Sequence, residues 1–278
     1  MGVADDKDRI IEMKKKEATK KKVVKVFVGI PNEGKTESES YFNRLVGSYH
    51  LGALQVLSHL GVKEYAGTKF DYPDDVEFVF YQGTVGRTLT PIARERLAEQ
   101  AMLNGADYLL FIDDDMICPV DLFERLYKRQ KDIVGALAFT RYSPHKPVIF
   151  NLTEGYDKVE KKSYYTSTIY YNYPKDSLVE CDAVGFGAVL INCKVFEKMN
   201  QPWFVMNNAV GEDVQFCFDA GKAGFKVYMD TAVKLGHLST PKEINEKTYE
   251  AETKVKQLRK THGDEPTFGP VMSAKIGG

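Results

Sequence analysis

From Val23 onward, apolar positions alternate between strand-like stretches and helical spacings. Val23 to Ile30 is a β-branched run that ends at Pro31, a residue unable to donate to a ladder, so a first strand stops there. Between Tyr41 and Leu60 the apolar side chains Leu45, Tyr49, Leu54 and Leu57 recur at helical spacing, with Gly61 as the stop. Val76 to Tyr81 predicts a second strand. Thr90-Pro91 sets a capping hydroxyl ahead of a first-turn proline and opens a helix through Leu103, closed by Asn104-Gly105. The continuous apolar run Tyr108 to Ile112 predicts a central strand covered on both faces. Beyond it the pattern predicts a helix near Val120 to Arg129, a strand over Ile133 to Phe139 and a tyrosine-rich hairpin around Tyr164 to Tyr173. A glycine-rich strand from Val184 to Ile191, a helix over Glu212 to Ala223, a strand over Phe225 to Met229 and a helix over Ile244 to Thr261 complete it. Such alternation predicts an α/β fold with a largely parallel sheet, and no internal repeat interrupts it.

Composition narrows this picture. The 278 residues allow one large domain or two small ones, and 43% hydrophobic residues supply a sizeable core. The 38 Lys+Arg against 39 Asp+Glu leave a net charge of −1, so no whole-molecule field draws the chain to nucleic acid or membrane. Charge is nevertheless uneven: the first 25 residues form a basic arm, whose plainest reading is a solvated extension. The longest uncharged run, Leu45 to Val62, is broken by Ser48, His50, Gln55, Ser58 and His59, so no membrane span is expected. The N-terminus lacks the apolar stretch of a secretory signal, and a soluble cytoplasmic protein is expected. Cys118, Cys181, Cys193 and Cys217 contain no CxxC pair and read as packed thiols, excluding a zinc knuckle.

Three constellations could carry chemistry. In an open α/β sheet ligands bind beyond the carboxyl ends of the strands, and Asp113-Asp114-Asp115 follows the most hydrophobic strand. Three adjacent carboxylates repel one another unless a cation neutralises them. Hard divalent ions take one or two carboxylates together with substrate phosphate oxygens; capping the next helix near Pro119 would account for one carboxylate, not three. Gly211-Glu212-Asp213 at a helix start offers either favourable charge on the N-terminus or a general base on a rigid element. Leu235-Gly236-His237 offers a structural histidine or an imidazole that completes a carboxylate site. A rival pattern is Gly29-Ile30-Pro31-Asn32-Glu33-Gly34-Lys35-Thr36, which matches the P-loop expression directly after a strand. Acidic side chains at Glu33, Glu37 and Glu39 make it a poor cradle for a triphosphate, and a P-loop kinase or NTPase stands as the alternative.

With these residues in view, the chain resembles metal-dependent glycosyltransferases of the GT-A fold, in the family-2-like group of small bacterial or phage-type enzymes. The likeness covers about residues 23–240 and rests on motifs in order. Ile30-Pro31-Asn32 resembles the segment that receives the nucleotide base, and Arg87 with Ile92-Ala93-Arg94 precedes Gly105 to Met116 as in the approach to a DxD motif. Asp132 to Ala136, His145-Lys146-Pro147, Val184-Gly185-Phe186-Gly187, Pro202-Trp203-Phe204, Gly211 to Cys217 and Leu235 to Leu238 follow. Relatives often carry Arg-Asn where this chain has Arg94-Glu95, and a smaller residue where it has Phe186.

The resemblance implies a nucleotide-binding half with a mostly parallel sheet and an acceptor-side half with a small mixed sheet. Residues 1–22 would be a basic extension, 23–240 the catalytic domain and 241–278 a C-terminal helix and tail. It implies Ile30, Pro31, Asn32, Arg87, Arg94, Asp113, Asp114, Gly185 and Trp203 as nucleotide-sugar contacts, with Arg87 or Arg94 clamping the diphosphate. Asp115 and His237, with Asp113, would hold Mn²⁺ or Mg²⁺; Asp213, or Glu212 beside it, would be the base. The expected reaction moves a sugar from a nucleotide-diphosphate donor, a UDP-sugar, to an acceptor hydroxyl with inversion; a metal-dependent nucleotidyltransferase would use similar carboxylates. The basic arm with Tyr164, Tyr165, Tyr170, Tyr171 and Tyr173 could hold a polyanion with exposed bases, so modified DNA joins glycans, lipids and proteins as a candidate acceptor.

Overall fold

A computed structural model describes residues 21–32, 38–157, 162–206, 210–239 and 242–262. Strand β1 (Lys22–Asn32) leads into helix α1 (Ser38–Leu60), a short hairpin β2–β3 (Glu64–Tyr65, Thr68–Lys69), β4 (Val76–Gly86), α2 (Thr90–Leu103) and β5 (Tyr108–Ile112). Then come β6 (Met116–Ile117), α3 (Leu122–Tyr127), β7 (Ile133–Leu137), β8 (Ile149–Asp157), β9 (Lys162–Ile169), β10 (Leu178–Cys181), β11 (Ala183–Val184), β12 (Ala188–Asn192) and α4 (Lys194–Lys198). Helix α5 (Glu212–Lys222), β13 (Val227–Lys234), β14 (Gly236–Ser239), β15 (Lys242–Ile244) and α6 (Glu246–His262) complete the described chain.

Seven strands form one sheet in the order β10-β13-β7-β12-β5-β1-β4. Parallel pairing of β1 with β4 and β5, and of β13 with β7, leaves only β12 and β10 running against the rest. The architecture is therefore α/β with a mostly parallel central sheet, as expected. Its consequence is positional: β1, β4, β5, β7 and β13 all end at one edge, so the residues after each strand converge there. Alternation along the strands sends Val24, Val26, Val28 and Leu110 to one core layer and Phe27, Leu109 and Phe111 to the other. Helices α1 and α3 cover the first face through Leu54, Leu57, Phe123 and Leu126; α2, α4 and α5 cover the second through Leu97, Phe196 and Phe216.

Several boundaries differ from the sequence reading. Strand β4 runs five residues past Tyr81 because the polar segment to Gly86 keeps its ladder with β1 at a sheet edge, where polar side chains remain in water. The expected strand Val184 to Ile191 is two: β11 pairs with β8, and Gly185-Phe186-Gly187 carries the backbone across to β12 in the main sheet. Strands β8 and β10 had no distinct signal. Thr90 is the first residue of α2, with Leu89 as its cap and no side-chain capping bond. The small sheets, β11-β8-β9 and β15-β14-β6, are antiparallel throughout, not mixed.

In the P-loop-like segment, Gly29 to Asn32 are strand residues in register with Gly83 to Gly86. Their backbone continues a ladder instead of turning around a phosphate; Glu33 to Thr36 lie outside the described residues. So do residues 1–20 of the basic arm and residues 263–278 of the tail. Helix α6 is held against the domain by a Phe139–Tyr249 ring stack at 4.7 Å and by Lys234–Glu246 at 2.5 Å. All four cysteines are free, and burial pushes the Cys181 and Cys193 thiols up to about 12. Among the described residues no helix is long and apolar enough to cross a membrane.

Candidate active site

The aspartate triplet leaves β5 at the convergent edge, where it is fixed from both sides. Asp113 N–H donates to Gly187 O at 2.9 Å, and Met116 N–H closes a turn onto Asp113 O at 3.2 Å. The first turns of α1 supply the second clamp. Ser40 Oγ donates to Asp114 O at 2.6 Å, Arg44 Nη1 donates to the same carbonyl at 2.8 Å, and Asn43 exchanges two bonds with the Cys118 backbone at 3.0 and 2.8 Å. Sequence reasoning missed these three residues. Their signal was spacing: polar positions 40, 43 and 44 share one helical face.

Above this turn lies an open cleft of about 380 Å³ lined by Pro31, Asn32, Thr88, Thr90, Ala93 and Asp113 to Asp115. The strand ends β1 and β5 and the first turn of α2 thus meet as the topology requires. Ile30 is buried and faces the α1 side with Val28 and Leu110, so it is not a cleft residue. Arg87, exposed beside Thr88, has a left-handed φ of +58° and donates its N–H to Asn32 O at 3.3 Å.

Behind the cleft, Arg94 organises a carboxylate cluster. Only 3% exposed, it donates from Nη2 to Asp113 Oδ1 at 2.7 Å and brings Nη1 within 3.3 Å of Glu212 Oε1. Its guanidinium lies over the Phe186 ring at 5.1 Å and the Phe111 ring at 5.9 Å. Burial opposes its charge, while Asp113, Glu212 and Asp213 hold the proton on, with a net upward shift. Burial, opposed by Arg94 and reinforced by Asp213 and Glu212, pushes the Asp113 carboxyl up to about 6. The expectation that Arg94 clamps a diphosphate is corrected: a guanidinium buried against two carboxylates positions Asp113 and Glu212. At the start of α5, Asp213 Oδ1 accepts the Val214 N–H at 2.7 Å.

On the far side of the triplet, His237 enters from β14. Its Nδ1 lies 2.7 Å from Phe139 O, an atom that can only accept, so the proton sits on Nδ1 and Nε2 keeps its lone pair. Burial holds this imidazole below its ordinary pKa, favouring the neutral form. Nε2 stands 3.0 Å from Asp115 Oδ2. Two donors on adjacent corners of an octahedral ion, each at about 2.1 Å, are about 3 Å apart, so the pair fits a hard divalent cation. Arg141 Nη2 contacts the same Asp115 oxygen, and Arg141 Nε lies 3.5 Å from His237 Nε2. Among the described residues no group of three or more His, Cys, Asp or Glu side chains is gathered as a metal cage. Asp113 faces Arg94 and is no third ligand here.

Two other expected contacts sit in the core. Gly185 packs so closely that an added Cβ would lie 2.7 Å from Val148 Cβ, and its N–H donates to Val148 O at 2.8 Å. Trp203 is buried, with its ring 5.1 Å from that of Phe196 and its indole N–H donating to Met199 O at 3.2 Å. Both serve packing. The two departures from the family pattern have structural partners: Glu95 accepts the Trp203 and Phe204 N–H groups at 2.9 and 3.0 Å, and Phe186 is the floor under Arg94. Of the tyrosines expected to form a stacking surface, Tyr173 is buried in the core, Tyr170 packs against it, and Tyr171 is 51% exposed. Tyr164 and Tyr165 lie on β9.

No protein-family profile matches the chain, and no curated protein matches it in sequence. Among solved structures it is similar to the A197 protein from STIV, with 17% identity over 77% of this chain and 85% of that one, TM-score 0.45. It is also similar to GalNAc-T7, solved with UDP, GalNAc and Mn²⁺, at 12% identity over 78% of this chain and 43% of that one, TM-score 0.39. A UDP-glucose pyrophosphorylase, solved in apo form, gives 10% identity over 86% of this chain and all of that one, TM-score 0.40. At these TM-scores the likenesses carry no functional weight.

Proposed function

We propose that the cleft binds a nucleotide-diphosphate sugar, a UDP-sugar in the first instance, and that the protein transfers the sugar to an acceptor hydroxyl. The observation that carries this reading is the meeting of Pro31, Asn32 and the aspartate triplet in one cleft, with His237 Nε2 held 3.0 Å from Asp115 Oδ2. Pro31 and Asn32 at the end of β1 would receive the base, and Asp114 the ribose or donor sugar. Asp115 and His237 would hold Mn²⁺ or Mg²⁺, which supplies Lewis-acid neutralisation of the leaving diphosphate. Arg87, exposed at the rim, is the remaining candidate for a diphosphate contact. Asp213 would take the acceptor proton in a single displacement that inverts the anomeric centre. Arg94 would fix the cluster and touch no substrate.

Calorimetric titration of UDP in the presence of Mn²⁺ tests the binding half of this reading. Wild type is expected to bind, and Asp115→Ala to bind about ten- to a hundredfold more weakly, the usual effect of disturbing a metal site. Equal affinity in the two proteins removes Asp115 from the site.

A further inference from the structure

Asp115 Oδ2 stands 3.0 Å from His237 Nε2, a carboxylate beside a ring nitrogen that a cation can bridge. Phe139 O takes the Nδ1 proton of the ring, so Nε2 is the nitrogen turned toward Asp115. Arg141 supplies the cation: its Nη2 contacts Asp115 Oδ2, and its Nε donates toward His237 Nε2 at 3.5 Å. The guanidinium therefore sits against the two groups that would hold a divalent ion.

Its loop is built for this placement. After β7 the neck closes through Thr140 N–H to Lys146 O at 2.9 Å, Lys146 N–H to Thr140 Oγ1 at 3.0 Å and a bridge between Phe139 and Pro147. His145 ties the neck to α6, with its N–H donating to Glu252 Oε2 at 3.0 Å and its Nε2 3.2 Å from Glu252 Oε1. The Arg141 side chain is one-third exposed, so it can leave by rotamer change while the neck stays in place.

We propose that Arg141 is a built-in competitor of the divalent ion: it occupies Asp115 and His237 when the ion is absent and must be displaced when the ion binds. This rests on the metal-assisted reading above and adds to it a residue that sets the metal affinity. The ion binds weakly from free solution, because binding breaks the pair between Arg141 and Asp115. Arg141→Gln keeps a polar amide without the charge, on a shorter side chain. Arg141→Lys keeps a charge but not a fork able to meet both acceptors.

The test is titration of Mn²⁺ alone into wild type, Arg141→Gln, Arg141→Lys and Asp115→Asn, with free Mn²⁺ followed by electron paramagnetic resonance and folding checked by melting. Arg141→Gln is expected to bind about tenfold more tightly than wild type, the ratio set by losing one charge-assisted bond of ordinary strength. Arg141→Lys is expected to bind more tightly as well. Equal or weaker binding in the folded Arg141 variants, with binding lost in Asp115→Asn, overturns the competition and leaves the metal site standing. If Asp115→Asn binds like wild type, or if no protein binds Mn²⁺, the metal-assisted reading itself fails.

Discussion

Arg94→Met is expected to destabilise the protein by about 3–5 kcal/mol, the cost of removing one partner from a buried ion pair. The reason is local. Arg94 is 3% exposed, Asp113 and Glu212 are 26% and 13% exposed, and no other side chain in contact with this pair brings a positive charge among the described residues. Without the guanidinium, Asp113 loses both the 2.7 Å bond and the one charge that opposes its protonation, while Asp213 and Glu212 continue to raise its pKa. Methionine can refill the space over Phe111 and Phe186 but cannot bridge two carboxylates. Urea unfolding with linear extrapolation measures the loss. Arg94→Lys should recover only part of it, because an ammonium does not fork to both oxygens. A variant within about 0.5 kcal/mol of wild type, the range of surface substitutions, would remove Arg94 from its role as organiser.

The second large effect is on turnover. Asp213→Asn is expected to lower kcat about 10²–10⁴-fold, the contribution of a positioned general base, with melting temperature and nucleotide affinity near those of wild type. The distinction between the two acids at the start of α5 is geometric. Glu212 lies 3.3 Å from buried Arg94, whereas the hydrogen bond on Asp213 Oδ1 is a local one, from the Val214 N–H. Glu212→Gln should therefore show mainly a stability loss. Full activity in Asp213→Asn would reverse the roles or remove the base from this helix.

The α/β class was legible because its signals are local. Continuous apolar runs such as Tyr108 to Ile112 mark central strands, and Thr90-Pro91 marked a helix start within one residue. The aspartate triplet was legible because the carboxyl end of the central strand is where such folds gather ligands. What escaped were features made by contacts distant in sequence. Ser40, Asn43 and Arg44 reach across 70 or more residues to clamp the triplet and the Cys118 backbone beyond it. Arg141 meets Asp115 and His237 only once the segments after β5 and β7 and strand β14 of a separate small sheet come together. Trp203 and Gly185 look like ligand residues in a motif, yet an aromatic and a glycine serve packing equally well, and only burial separates the two uses. Arg94 was chosen for its charge, but its position on the buried side of α2 turned that charge toward the protein's own carboxylates.

The central claim, sugar transfer from a nucleotide diphosphate, is tested most directly by product analysis. Wild-type protein would be incubated with a panel of UDP-sugars and acceptors, including DNA with hydroxylated bases, glycans and lipid-linked sugars, with and without Mn²⁺. Free UDP would be quantified, and each acceptor weighed by mass spectrometry. The predicted result is metal-dependent release of UDP matched by one sugar mass gained on an acceptor. Release of UMP or pyrophosphate, or turnover of ATP abolished by Lys35→Ala, with no glycosylated acceptor, would contradict it.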